Sequence, residues 1–147
     1  MKMNEKMSGL LKDAGFPIPF DASISSDSPK ELTFVTVGDS VLLKDEYNGA
    51  QHTKPTDFPD RTGYECFVNH IHLQFDGSRE SLLSCLKYAV ALQRQLARLP
   101  IHRRFQVIVA LSEQGCTVRF HEVRPSENWV AEDLEGYSHE AVLLLLA

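Results

Sequence analysis

Between residues 78 and 100 the chain alternates apolar and polar positions with a helical period. Leu82, Cys85, Ala89, Leu92, Leu96 and Leu99 recur at steps of three and four, while Lys87, Arg94, Gln95 and Arg98 fall on the opposite side. Ser78 is suited to cap the start, Glu80 stands in the first turn, and Pro100 follows the last apolar position. The pattern predicts an amphipathic helix of about five turns. Elsewhere the period is two. FQVIVALSEQGCTVRFHEV, residues 105–123, reads as a hairpin turned at SEQG, with Gly115 free to take a positive φ. ELTFVTVGDSVLLKD, residues 31–45, predicts a second hairpin about Gly38 and Asp39 in preference to a bulged single strand. GYECFVNHIHLQF, residues 63–75, is rich in strand formers and predicts a further strand. The apolar run at 141–147 has no diagnostic period, and is assigned to a buried strand because Gly136 ends the element before it.

The remaining segments are less patterned. Met7, Leu10, Leu11 and Ala14 have helical spacing, with Gly15 and Pro17 as the stop, so a short helix is predicted within 1–15. Residues 16–29 and 45–62 carry Pro, Gly, Ser and Asp and predict loops, the second unusually long for a compact domain. A short helix is expected near Val130 to Leu134. The sum is a single domain over 1–147: a peripheral helix and loop at 1–30, and a core at 31–147. Its expected class is α+β, a mostly antiparallel sheet with one long amphipathic helix packed on one face, in two layers.

Alternation then sorts the faces. Phe67, Asn69, Ile71 and Leu73 are expected to face the helix, with Cys66, Val68, His70 and His72 opposite; Val118 and Phe120 face inward, with Thr117, Arg119, His121 and Val123 outward. If the two strands are neighbours, His70, His72, Arg119 and His121 share an uncovered face.

Composition narrows the function classes. The net charge of −5 is uneven: residues 113–147 hold seven acidic side chains against Arg119 and Arg124, which argues against nucleic-acid binding there and permits attraction to a basic partner. The three cysteines are scattered in apolar strings and suggest neither disulfides nor a paired zinc set. The first fifteen residues lack a signal-peptide core, and the longest apolar run is far short of the roughly 20 residues that cross a bilayer. A cytoplasmic chain without membrane contact is expected.

Three histidines on one face could make a zinc, iron or nickel site from His70, His72 and His121. Arg119 beside them opposes a cation, and no facing carboxylate pair or HExxH string accompanies them. The alternatives are a polar sheet surface or a contact patch. Cys116 and His121 lie five apart on one strand, hence on opposite faces, and form no dyad; no nucleophile elbow or phosphate loop is present. Trp129, the single tryptophan, either anchors its turn against the sheet or serves as a partner hot spot rimmed by Glu127, Glu132, Asp133 and Glu135.

The strings YECFVNHIHL (64–73) and CTVRFHEVRPSENWVAEDLEGY (116–137) resemble the immunity proteins of bacterial polymorphic toxin systems, in particular the immunity protein 10 family. The first 62 residues carry none of this resemblance. It implies a small cytoplasmic α+β protein, encoded beside a toxin, that binds the toxin domain and blocks it, with neither enzymatic activity nor cofactor. The candidate contact residues remain those read above: Trp129, Glu127, Glu132, Asp133, Glu135, Arg119, His121, His70 and His72. A small metal-dependent enzyme using the three histidines is the rival expectation, and a dimeric regulatory module is a third.

Overall fold

The most regular stretch of the sequence forms the longest helix. In the computed structural model, which describes residues 1–20, 24 and 31–147, Ser78 accepts a hydrogen bond from the Ser81 amide and opens a helix over Arg79–Ala97. Leu82, Cys85, Leu86, Ala89, Leu92 and Leu96 are buried along one side of it. That stripe packs on a five-stranded antiparallel sheet and forms the main core with Val107, Val109, Val118, Phe120 and Leu143.

In chain order the elements are β1 (Lys2–Met3), α1 (Glu5–Asp13), β2 (Phe34–Val37), β3 (Ser40–Leu43), α2 (Lys44–Gly49), α3 (Arg61–Val68), β4 (His70–Leu73), α4 (Arg79–Ala97), β5 (Phe105–Ser112), β6 (Gly115–Glu122) and β7 (Ala141–Leu146), with single 3-10 turns at Pro55–Asp57 and Leu134–Gly136. The large sheet runs β1-β7-β5-β6-β4, and β2 and β3 form a separate two-stranded sheet. This is the expected α+β class, with α4 on one face of a mostly antiparallel sheet. The two hairpins, the α4 boundaries and the terminal strand stand as the patterns predicted. Gly38 at φ 59° makes the β2–β3 turn, and Gly115 at φ 127° the β5–β6 turn. β7 reads as an unbroken apolar run because both of its faces are covered: Leu143 and Leu145 enter the main core, while Val142 and Leu144 join Cys66, Ile108 and Leu134 on the other side.

Several expectations are corrected. Residues 63–75 are two elements, because Asp60 caps a helix by accepting from the Gly63 amide at 2.7 Å and the strand begins only at His70. Phe67 therefore faces outward, 49% exposed and stacked on Phe58, rather than toward α4. The strand β4 lies at the edge of the sheet. The outer face of the sheet is also not open throughout: α3 and the segment after β6 cover part of it. α2 occupies the start of the stretch expected to be loop, and the helix expected near Val130 is one 3-10 turn at Leu134–Gly136. The first residues are built into the fold. β1 pairs with β7, and Met7 and Leu11 of α1 are fully buried in the main core. Of the loop expected over 16–29, residues 21–23 and 25–29 lie outside the described residues.

Two polar tethers position the outer elements. Glu65 of α3, with its side chain 1% exposed, accepts from both Arg124 terminal nitrogens at 2.9 and 2.6 Å and from the Glu122 amide at 2.9 Å. Asn69, also buried, accepts from the Leu43 amide at 2.9 Å and donates to the carbonyls of Val41 and Phe120 at 3.0 and 3.2 Å, joining the small sheet to the large one. Among the described residues no helix is long and apolar enough to cross a membrane.

Candidate functional site

The outer face of the sheet is dished where its side chains are smallest. Ala110 lies at the centre of a row, opposite Thr117 on β6 and Val142 on β7. In the next row Ile108 separates Arg119 from Leu144. A methyl group flanked by larger side chains leaves a hollow, and the chain after β6 walls it. Residues 124–140 bring Trp129, Val130 and Tyr137 over the sheet, enclosing a cavity of about 330 Å³ whose lining also includes Arg119 and Glu140. The Tyr137 hydroxyl accepts from the Ala131 amide at 3.0 Å and holds this segment to itself.

Arg119 is fixed before any contact is made. Its guanidinium donates to the Cys66 carbonyl at 2.8 Å and to His70 Nε2 at 3.1 Å, and its central carbon stands 5.3 Å from the Trp129 ring centroid, in cation–π range. An arginine only donates, so His70 accepts and its ring is neutral with the proton on Nδ1. Burial, the Arg119 charge and His72 together hold the His70 pKa down at about 4. His72 lies against it, ring centroids 4.1 Å apart.

A pH dependence follows. The unfolded histidine binds its proton near pH 6.5, the folded one near 4, so acid favours the unfolded chain and stability falls as pH drops through that interval. Urea unfolding between about pH 6.5 and 4 should show this slope, and His70→Gln, whose amide oxygen still accepts from Arg119, should flatten it. His121, also depressed chiefly by burial, contributes to the slope that remains. An unchanged slope in the variant would place the sensitivity elsewhere.

The predicted site residues separate into three groups. Arg119 and Trp129 line the cavity and His70 supports Arg119. His121 is buried away from the other two histidines, its Nδ1 2.8 Å from the Glu122 carbonyl and its Nε2 3.3 Å from the Gln106 side chain. The three histidines do not converge, and among the described residues no group of three His, Cys, Asp or Glu side chains could hold a metal ion. The acidic rim is dispersed. Glu127 accepts from the Thr62 amide and hydroxyl at 3.2 and 3.0 Å at the start of α3. Glu135 accepts from the Glu5 amide at the start of α1, a placement that helix N-termini favour for carboxylates. Asp133 takes the Glu135 amide, and the Glu132 carbonyl takes Lys2 Nζ; Glu132, Asp133 and Glu135 are all exposed, and of the three only Glu135 reaches the start of a helix.

Sequence reasoning missed Ala110, Tyr137 and Glu140. The signal for the first was present, an alanine at an outward position among bulkier strand residues. Tyr137 and Glu140 also border a larger groove of about 990 Å³ between α1, the β5–β6 turn and residues 75–77.

One comparison with known proteins succeeds: the chain matches over residues 2–145, and so belongs to, the uncharacterized protein PM0498 family. No curated protein and no solved structure matches it.

Proposed function

We propose that this member of a family whose description assigns no activity is an inhibitory binding protein of the cytoplasm, an immunity protein that neutralises a cognate toxin domain by direct contact. The observation that carries the reading is Trp129. It is 41% exposed, yet Arg119, itself held by two hydrogen bonds, fixes it from one side. A large aromatic that is ordered before association loses little freedom on binding, which is the property of a hot-spot anchor. Glu132 and Asp133 stand exposed near it in sequence and would attract a basic partner surface. The resemblance of residues 64–73 and 116–137 to toxin immunity proteins supports the same reading.

The test uses the full chain and the toxin domain encoded beside it. Trp129→Ala should weaken that complex by at least about 2 kcal/mol, roughly 30-fold in Kd. Glu132→Gln with Asp133→Asn should slow association and flatten its salt dependence while leaving dissociation nearly unchanged. Glu135 is left intact in this test because its carboxylate caps α1. No binding by the wild-type chain would reject the function; binding indifferent to Trp129 would reject this surface.

A further inference from the structure

The cavity behind Trp129 has a second property, independent of any protein partner. Nine residues line it, and only two of them are charged, with opposite sign: Arg119 and Glu140. Between them the floor and walls are apolar or aromatic, from Ile108, Ala110, Val130, Val142, Trp129 and Tyr137, with Thr117 the one uncharged polar aliphatic side chain among them. Burial disfavours the Arg119 charge and lowers its pKa, an effect that Glu140 opposes, but among the described residues the two form no ion pair. Each is placed by other contacts. Two of the five guanidinium N–H donors of Arg119 are taken by Cys66 and His70, which leaves three. Glu140 is set by its backbone, whose carbonyl accepts from Asn4 Nδ2 at 2.8 Å and whose amide donates to the Tyr137 carbonyl at 3.2 Å. Its half-buried carboxylate accepts no hydrogen bond from the described residues.

We infer that this cavity binds a small aromatic zwitterion, an aromatic amino acid or a dipeptide containing one, with its carboxylate toward Arg119, its ammonium toward Glu140 and its ring against Trp129 and Tyr137. The volume is at the small end of the range for ligand sites, about 300–1,000 Å³, and suits a molecule of that size. The chemistry is selective for a reason of electrostatics. An anion alone would leave the half-buried Glu140 carboxylate facing like charge, and a cation alone would do the same to Arg119; a molecule carrying both ends satisfies both. Aromatic walls favour a ring over an aliphatic body, because tilted and offset ring pairs add to the area that is buried.

Trp129 is the single tryptophan, so its fluorescence reports the cavity directly. The full chain is titrated with L-phenylalanine and L-phenylalanyl-L-leucine, then with N-acetyl-L-phenylalanine, which lacks the ammonium, L-phenylalanine amide, which lacks the carboxylate, and toluene, which lacks both. At least one zwitterion should give a saturable change in Trp129 emission, with each analogue at least tenfold weaker. Glu140→Gln should weaken the zwitterion without weakening N-acetyl-L-phenylalanine. Ala110→Leu fills the floor from beneath; it should abolish the saturable change at an unreduced Tm, which separates loss of the cavity from loss of the fold. No saturation by either zwitterion overturns the inference. So does an analogue that binds as tightly as the zwitterion, or binding that survives Ala110→Leu in a folded variant.

Discussion

Replacing Arg124 by methionine should lower the free energy of unfolding by about 3–5 kcal/mol, read as a shift of the urea midpoint at unchanged m. The size comes from what is left behind. Glu65 lies on α3 with its carboxylate out of solvent, and both Arg124 terminal nitrogens reach it; the Glu122 amide is its other donor. One backbone amide does not compensate a buried carboxylate, so the variant must protonate Glu65, expose it, or release α3 from β6. Arg124 also contacts Glu122 at 2.9 Å, and that partly exposed pair contributes little by comparison. The double variant Glu65→Leu, Arg124→Met removes both charges and should recover most of the loss, because the cost resides in the unpaired ion rather than in the pair. A single variant that loses under 1 kcal/mol would mean that water reaches Glu65 freely.

Asn69→Ala should cost about 3 kcal/mol, and hydrogen exchange should locate the damage. The Asn69 side chain joins three backbone atoms there: the Leu43 amide, the Val41 carbonyl and the Phe120 carbonyl. Its removal leaves the buried Leu43 amide without that acceptor and two carbonyls without a donor, at about 1–3 kcal/mol for a fully orphaned group. Amides of β2 and β3 should therefore lose protection, whereas those of β5 and β7, which do not depend on Asn69, keep theirs. Uniform loss across both sheets would show that the hairpin is not a separable unit.

The parts of the fold that local pattern predicts are those whose partners are supplied by periodicity itself. The stripe of α4, the β5–β6 hairpin with its turn glycine, and β7 needed only a face to bury. α3 was invisible for the opposite reason. Tyr64, Cys66 and Val68 alternate with Glu65, Phe67 and Asn69 as a strand would; the Asp60 cap is local, but the other groups that hold the helix lie far along the chain: Glu127 at its first turn, and Arg124, 59 positions from Glu65. α2 has no side-chain cap to announce it and starts directly after β3. The site shows the same division. Arg119 and Trp129 could be singled out as residues, but not their contact, and the acids around Trp129 looked like one rim because their diversion to the starts of α1 and α3 depends on tertiary placement. Nothing local distinguishes a carboxylate that caps a distant helix from one that faces water.

The pairing of β1 with β7 also bears on how the chain reaches this state. β7 is the last element in chain order, yet it sits inside the sheet, between β5 and β1, and β1 has no other strand to pair with. Before β7 arrives, β5 presents an unpaired apolar edge, and the opening segment has no strand to dock against. Closing the sheet thus pairs residues as far apart in sequence as Lys2 and Leu144, a high-contact-order step that belongs to the slow end of two-state folding. During synthesis β7 emerges after the four strands it shares the sheet with, so the partly folded sheet must be kept from edge-to-edge association until β7 occupies the vacancy.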